Sequence, residues 1–253
     1  MTDTQCVVFL CNHAYFPKFI KTCTELVTVG KYRGPICLVI GNDLVNSPLL
    51  QNSLIQENNI IIKHFPNIEF PADFINIQRA IPRPPHWFQK IFQYHKLHLF
   101  NTYFKQWDYI FYIDCGITIF SDITPMFESR KKGKLLAHSD AYPTYRDKLG
   151  DQFSHHFQEY RMLQSTFNLN IDYFQTTIML YDTSIIQADT FDNLRNLLFI
   201  FPISITNDQG LIALYFTNVK PHFEQIPIQN ADTYFYDYLS RNKSYKYIML
   251  KVA

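Results

Sequence analysis

The first 65 residues alternate continuous apolar runs with segments of helical periodicity. The apolar runs are CVVFLC (6–11), GPICLVIGND (34–43) and NIIIKHF (59–65), and each is bounded by polar or turn-forming residues, as buried strands are. A helical pattern with Pro17 in its first turn fills the first interval, and a shorter helix near 47–57 fills the second. This order predicts a parallel sheet joined by right-handed crossovers.

The remaining chain continues this alternation after an irregular, proline-rich stretch at 66–85, which we expect to be a loop over one face of the sheet. A long amphipathic helix is predicted at 87–107, and the strand that leads to Asp114 follows it. The other predicted elements are strands at 133–143 and 173–183, helices at 152–166, 189–201 and 207–216, and short strands in the C-terminal tail. No internal repeat or change in composition separates them, so we expect one α/β domain, 1–253.

Composition narrows the class of protein. Hydrophobic residues make up 47% and charged residues 18%, which indicates a globular chain rather than a disordered one. A net charge of +1 gives no overall field for nucleic acid or a membrane surface. The five cysteines include no Cys-x-x-Cys pair, which favours reduced, buried thiols. Without a basic leader or a long apolar run, we expect a cytoplasmic protein that neither enters a membrane nor binds nucleic acid.

Polar side chains follow several predicted strands, and the carboxyl ends of parallel strands meet at one edge of a sheet. Asp114 is unusual because a Cys-Gly pair, rather than a helix start, follows it. Asp140 ends the next predicted strand, so the two acids could approach each other and serve a divalent metal or hydroxyl groups. Alternatively, strand-end aspartates cap the following segment, and we expect this of Asp43 and Asp182.

Two further features of the sequence suggest groups that could bind a substrate. Lys96 falls on the apolar stripe of the predicted helix, four residues after Phe92 and four before Phe100. Its ammonium either reaches the surface along its stem or faces a phosphate. The sequence Asn-Asp-Gln-Gly at 207–210 opens a helix with a carboxylate and an amide that suit a polyhydroxylated substrate.

Taken in order, these segments resemble the glycogenin-like family of retaining glycosyltransferases, which have the GT-A nucleotide-diphospho-sugar transferase fold, a mostly parallel central sheet with flanking helices. The segments that carry the resemblance are FLCNHAY (9–15), HKLHLF (95–100), YIFYIDCGITIFSDITPMF (109–127), YFQTTIMLYDTS (173–184) and NDQGLIALYF (207–216). They resemble the family's uracil-binding strand, its lysine-containing helix, its Asp-x-Asp motif, its Asn-Ser-Gly segment and its Asp-Gln-Gly-Leu helix. The resemblance implies transfer of a hexose-type sugar, with retention, from a UDP-sugar to an acceptor hydroxyl.

The resemblance also implies a role for each matching residue. Uridine would be held by Leu10, Asn12 and Tyr15, and the diphosphate would be faced by Lys96. A manganese or magnesium ion, bound by Asp114, would neutralise the leaving diphosphate. The donor sugar would be contacted by Asp140 and Gln175, whereas the catalytic Asp208 and Gln209 would lie beneath the anomeric carbon. Whether Asp208 or Gln209 acts as nucleophile or as electrostatic stabiliser is left open.

The sequence departs from the family at three places. Gly116 stands at the second acid of Asp-x-Asp, so one expected metal ligand is absent. The family's C-terminal His-x-x-Gly-x-x-Lys-Pro segment has no counterpart in this sequence. Its Asn-Ser-Gly segment is replaced by the bulkier residues Gln-Thr-Thr at 175–177.

These departures leave alternatives open. One is a metal-independent or inverting transferase, in which Lys96, Lys246 or Lys251 replaces the cation. Another is a weakened GT-A domain that binds a sugar or a partner without catalysis. A nucleotidyltransferase would be expected to have a glycine-rich loop after the first strand, and CNHAYFPK contains no glycine. The predicted partners are the nucleotide-sugar and a glycan or protein acceptor; a homodimer is left open.

Overall fold

The computed structural model describes residues 3–139, 146–227, 229–230, 233–240 and 247–252. The strands in chain order are β1 (Gln5–Cys11), β2 (Ile36–Ile40), β3 (Ile61–His64), β4 (Tyr109–Ile113), β5 (Ile117–Ile119), β6 (Leu135–Ala137), β7 (Ile178–Asp182), β8 (Phe223–Gln225), β9 (Gln229–Asn230), β10 (Thr233–Ser240) and β11 (Tyr247–Val252). The α-helices are α1 (Phe16–Thr28), α2 (Ser53–Glu57), α3 (Ala72–Ala80), α4 (Thr124–Glu128), α5 (Gln158–Thr166), α6 (Thr190–Ile200) and α7 (Asp208–Leu214).

Seven strands form one sheet in the order β3-β2-β1-β4-β7-β6-β8. All run in the same direction except β7, which is antiparallel to both of its neighbours, β4 and β6. Every residue of β2, β4 and β7 is buried, because the sheet is covered on both faces. The predicted α/β architecture with a mostly parallel central sheet is confirmed.

Alternate residues of the central strands enter two separate hydrophobic clusters, one on each face of the sheet. Val8 and Tyr112 belong to the first cluster, together with the aromatic side chains of the segment that precedes β4. Phe9 and Phe111 belong to the second, which is packed under α1. Since apolar side chains fill both faces, polar groups gather where β1 and β4 end.

The predicted helix at 87–107 is instead 3-10 helical over two stretches, Pro85–Phe100 and Thr102–Gln106, and the first stretch is kinked at Lys90, where φ is −89° and ψ is 22°. The break lies at Asn101, whose side chain accepts a hydrogen bond from the second segment and caps it. One set of apolar positions in the first stretch recurs every three residues, the repeat of a 3-10 helix. These positions are Ile91, Tyr94, Leu97 and Phe100.

The prediction of an irregular loop at 66–85 is wrong over part of its length, because this stretch contains α3. The prolines lie outside the helix: Pro71 is its N-cap, and Pro82 follows its end. Phe74 and Gln78, four residues apart, are its buried side chains, so one face of the helix packs on the core. Proline here marks the ends of a helix rather than its absence.

A second sheet, in the order β5-β11-β10-β9, brings the C-terminal end of the chain beside the turn after β4. In it β11 pairs antiparallel with β5, and Lys251 lies opposite Ile117. This pairing places a C-terminal lysine next to Gly116.

Two other predictions can be compared with the structure. All five cysteines are buried and free, in agreement with reduced thiols. Among the described residues, no helix has the length and apolar character needed to cross a bilayer. The cytoplasmic location stays a prediction.

Candidate active site

A cavity of about 420 Å³ lies at the carboxyl ends of β1 and β4. From β1 the chain moves to β2 on one side and later to β4 on the other, so the cavity lies where the strand order reverses. Open α/β sheets bind their ligands at such a point. Among the residues that line the cavity are seven of the predicted site residues: Leu10, Asn12, Tyr15, Lys96, Asp114, Asp208 and Gln209.

Lys96 is the centre of the polar contacts in this cavity. Its side chain is 4% exposed, and its Nζ lies 3.0 Å from Oδ1 of Asp114 and 3.5 Å from Oδ2 of Asp208. Nζ also donates to the carbonyl oxygen of Thr176 at 3.2 Å. Burial lowers the pKa of Lys96, but the two carboxylates outweigh burial and hold this pKa above its usual value. Lys96 is therefore a buried cation, and its stem does not run to the surface.

Asp114 at the end of β4 has partners within the protein. Besides Lys96, its Oδ1 accepts a hydrogen bond from the hydroxyl of Tyr112 at 2.5 Å. Burial, and then the charge of Asp114, raise the pKa of Tyr112 well above its usual value, so the phenol remains a donor. The backbone N–H of Asp114 donates to the carbonyl oxygen of Thr177 at 2.8 Å. A lysine and a tyrosine thus offset the cost of burying this carboxylate.

The residue before Asp208 has an unusual backbone. Asn207 has φ 55° and ψ −120°, a region that costs a non-glycine residue about 1–3 kcal/mol. Its side chain accepts a hydrogen bond from Arg83 at 2.9 Å and donates to Oε1 of Gln93 at 2.7 Å. Its carbonyl oxygen accepts from the hydroxyl of Ser204 at 2.7 Å. These bonds fix the point at which α7 enters the cavity.

Asp208 and Gln209 begin α7 and are held in different ways. The hydroxyl of Thr176 donates to Oδ2 of Asp208 at 2.6 Å. Burial raises the pKa of Asp208. Lys96 and the Thr176 hydroxyl act in the opposite direction and offset part of this increase, so the pKa stays above its usual value. Gln209 donates from Nε2 to Oε1 of Gln152 at 2.8 Å. The carboxylate is thus buried in the cluster, and the amide is oriented beside it.

The residues predicted to hold the nucleobase lie at the carboxyl end of β1. Asn12 caps a short 3-10 turn, because its side chain accepts a hydrogen bond from the backbone N–H of Tyr15 at 3.1 Å. Leu10 and Tyr15 offer apolar and aromatic surface to the cavity. Nζ of Lys18 lies 4.8 Å from the centre of the Tyr15 ring. An apolar side chain, an amide and an aromatic ring are groups that suit a nucleobase.

Two predicted site residues, Asp140 and Gln175, are not among these seven. Asp140 lies outside the described residues. Gln175 is buried, and it is Thr176 and Thr177 next to it that reach the cavity. Asp182 caps the turn that follows β7, as predicted, by accepting from the N–H of Ser184 at 2.8 Å.

Sequence reasoning did not identify Tyr112 or Thr176 as contacts of the acids, or Asn207 as the strained residue. Tyr112 lies two residues before Asp114 on the same face of a strand, which is a signal that could have been used. The positive φ of Asn207 has no comparable signal in the sequence, although asparagine occurs at positive φ in turns more often than most residues.

The residues of the cavity do not fit a divalent cation bound by an Asp-x-Asp motif. Among the described residues, no three His, Cys, Asp or Glu side chains are grouped so that they could hold a metal ion. Gly116 provides no ligand, and a Cβ added there would lie 3.3 Å from Cδ of Lys18 and 3.6 Å from Nζ of Lys251. Hard divalent cations take oxygen ligands, whereas this position is surrounded by lysines.

The sequence matches no family model and no curated protein. Solved structures do match. The galactosyltransferase LgtC in complex with donor and acceptor sugar analogs is 11% identical, with a TM-score of 0.59 over 91% of this chain and 75% of LgtC. A Gln-to-Glu active-site mutant of LgtC is 12% identical, with a TM-score of 0.61 over 94% and 79%. Core-mannan synthase A from Aspergillus fumigatus, in its Mn/GDP form, is 10% identical, with a TM-score of 0.50 over 88% and 73%.

These structures are GT-A glycosyltransferases, and the match extends over most of each chain. This chain has the GT-A fold. The GT-A prediction is therefore confirmed, while identities of 10–12% do not single out the glycogenin-like family. Within the GT-A fold, the Lys96–Asp114–Asp208 cluster lies at the switch point of the sheet.

Proposed function

We propose that this protein is a glycosyltransferase that moves a hexose-type sugar, with retention, from a UDP-sugar to an acceptor hydroxyl. The observation that carries the proposal is the buried Lys96–Asp114–Asp208 cluster in the cavity of a GT-A sheet. A donor of this class presents a diphosphate and sugar hydroxyls, which a lysine and carboxylates can bind. Support comes from the similar structures, which include LgtC with donor and acceptor sugar analogs.

The donor would lie along the cavity with its base at the end of β1. Tyr15 would stack on the base, and Leu10 and Asn12 would complete its site. Sugar hydroxyls would then face Asp140 and the segment at 175–177. Gln175 would act through Thr177, whose hydroxyl donates to Oε1 of Gln175 at 3.5 Å and which lines the cavity.

Asp208 and Gln209 are the proposed catalytic residues. In the transfer, the bond between the anomeric carbon and the diphosphate oxygen breaks, and the acceptor oxygen forms a bond to that carbon. The acceptor's proton leaves with the departing diphosphate. Positive charge develops at the anomeric carbon, and a preorganised carboxylate and amide oxygen beside it stabilise this charge. Since Nε2 of Gln209 is engaged by Gln152, its carbonyl oxygen is the group left for the sugar.

A second candidate function is a GT-A domain that binds a sugar or a partner without catalysis. Gly116 favours this candidate, because it removes one acid of the metal motif. The two candidates differ in whether a bound donor is consumed.

The test is turnover of a panel of UDP- and GDP-sugars, measured as release of the nucleoside diphosphate with and without manganese. We expect turnover of at least one UDP-sugar and a loss of about a hundredfold or more in Asp208→Asn, as when a group that stabilises developing charge is removed. Asp172→Asn is the matched control, because its carboxylate pairs with Lys148 and does not line the cavity. Donors that bind but are never consumed would support the binding-protein candidate, and equal rates in wild type and Asp208→Asn would remove Asp208 from the mechanism.

A further inference from the structure

The place of the missing second acid is taken by lysines from both ends of the chain. Gly116 has φ +93°, and the direction in which its side chain would point is faced by Lys18 from α1 and Lys251 from β11. The pairing of Lys251 with Ile117 across β11 and β5 fixes the backbone of Lys251 at this place. The ammonium of Lys251 lines the same cavity as Asp114.

Lys251 differs from Lys96 in its charged partners. Within the described part of the chain, neither a hydrogen bond nor an ion pair under 4 Å engages its Nζ, whereas Lys96 is held by both carboxylates. Burial, offset in part by Asp114, lowers the pKa of Lys251, so this ammonium is partly desolvated. A desolvated cation without a partner is costly unless a ligand completes the site.

The charges of the cavity indicate which ligand would do so. The cavity is lined by three lysines, Lys90, Lys96 and Lys251, and by the two carboxylates of Asp114 and Asp208. Lys18 lies outside the lining but beside Gly116. Since Lys96 is engaged by both carboxylates, Lys18 and Lys251 are the cations available to an anion that enters near Gly116. Lysine is a common point-charge ligand for phosphate groups.

We propose that Lys251, assisted by Lys18, takes the place of the divalent cation and binds the diphosphate of the nucleotide-sugar. This inference rests on the proposed function and specifies how the leaving group is neutralised. The protein would then bind its donor even when a chelator is present in the solution, and Lys251 of β11 would contact the diphosphate.

The test is calorimetric titration of UDP and GDP, each in EDTA and in manganese, into wild type, Lys251→Met, Lys251→Arg, Lys18→Met and Lys220→Met. Methionine keeps the length of the lysine stem and removes its charge. Lys220 is the control, because it is exposed and does not line the cavity. Thermal unfolding without ligand checks that each variant is folded.

We expect wild type to bind UDP with the same affinity in EDTA and in manganese. Lys251→Met should weaken binding by about tenfold to a hundredfold, the range for one hydrogen bond to a charged group. Lys18→Met should have a smaller effect, Lys251→Arg should retain most of the affinity, and Lys220→Met should match wild type.

Two results would overturn this assignment, and they can be told apart. Binding that requires manganese and is unchanged in Lys251→Met and Lys18→Met would refute the lysine site while leaving the proposed transferase in place. No binding of UDP or GDP under either condition would refute both.

Discussion

Lys96 has one positive charge and faces two carboxylates in a buried cluster, so the three side chains together carry one excess negative charge when ionised. Burial raises the pKa of Asp208, the more deeply buried of the two acids. The Thr176 hydroxyl and Lys96 reduce this effect. Burying an ionised carboxylate lowers the free energy of unfolding of the protein. Such a cost is expected at a side chain that is retained for function.

The raised pKa of Asp208 leads to a prediction about pH. Its contribution to stability is fully present below the unfolded pKa, near 3.8, and is lost as pH rises through the folded pKa. The side chain of Asp208→Asn stays neutral as pH rises, so this variant does not bury a negative charge. Its melting temperature should therefore exceed that of wild type at pH 7, and the difference should become smaller towards pH 4. Each 1 kcal/mol corresponds to about 2–4 °C for a chain of this size.

Differential scanning fluorimetry between pH 4 and pH 7 measures this difference, with Asp172→Asn as the control for loss of an exposed carboxylate. A variant less stable than wild type at pH 7 would show that the Lys96–Asp208 attraction outweighs burial.

At the scale of elements, the site depends on the turn between β4 and β5. Gly116 occupies this turn with φ +93°, and its backbone N–H donates to the hydroxyl of Thr22 at 3.0 Å. The turn directs the chain from the central sheet into the sheet that contains β11. It therefore sets the distance between Asp114 and Lys251.

Gly116→Ala should lower the free energy of unfolding by about 1–2 kcal/mol, because a non-glycine residue is strained at positive φ. Gly133→Ala is the matched control, since Gly133 has φ +69° and a Cβ there would meet nothing within 4 Å. Both variants should be less stable in urea. Only Gly116→Ala should also weaken UDP binding, because its Cβ would displace Lys18 at 3.3 Å and would fill the space beside Nζ of Lys251 at 3.6 Å. Equal effects of the two substitutions on UDP binding would contradict this account of the turn.

The central strands could be predicted because buried parallel strands are continuous apolar runs. Asp114 was selected because it follows such a run, and Asp208 because it opens a predicted helix. The 3-10 winding before β4 was not predicted, since a repeat of three differs little from a repeat of 3.6 over a short segment. The helix α3 was missed because prolines were interpreted as signs of a loop. The contact of Thr176 with Lys96 was not predicted, since neighbouring residues of one segment cannot be distinguished by sequence pattern alone.

At the scale of the whole molecule, the candidate site is assembled from residues far apart in the chain. Tyr15 follows the first strand, Asp114 ends the fourth, Asp208 begins α7, and Lys251 lies in the last strand. Such long-range contacts form only when the two sheets and their connections are in place. A nucleotide bound in this cavity would therefore stabilise the entire fold, by RT ln(1 + [L]/Kd).

The most direct measurement is a crystal structure of the protein with UDP, grown in the presence of EDTA. We predict the uracil ring against Tyr15 and the diphosphate beside Gly116, with phosphate oxygens within hydrogen-bonding distance of Nζ of Lys251 and no metal ion between them. UDP bound outside the cavity at the ends of β1 and β4 would contradict the proposed function. UDP in the cavity with its diphosphate turned away from Lys251 would contradict the lysine assignment alone.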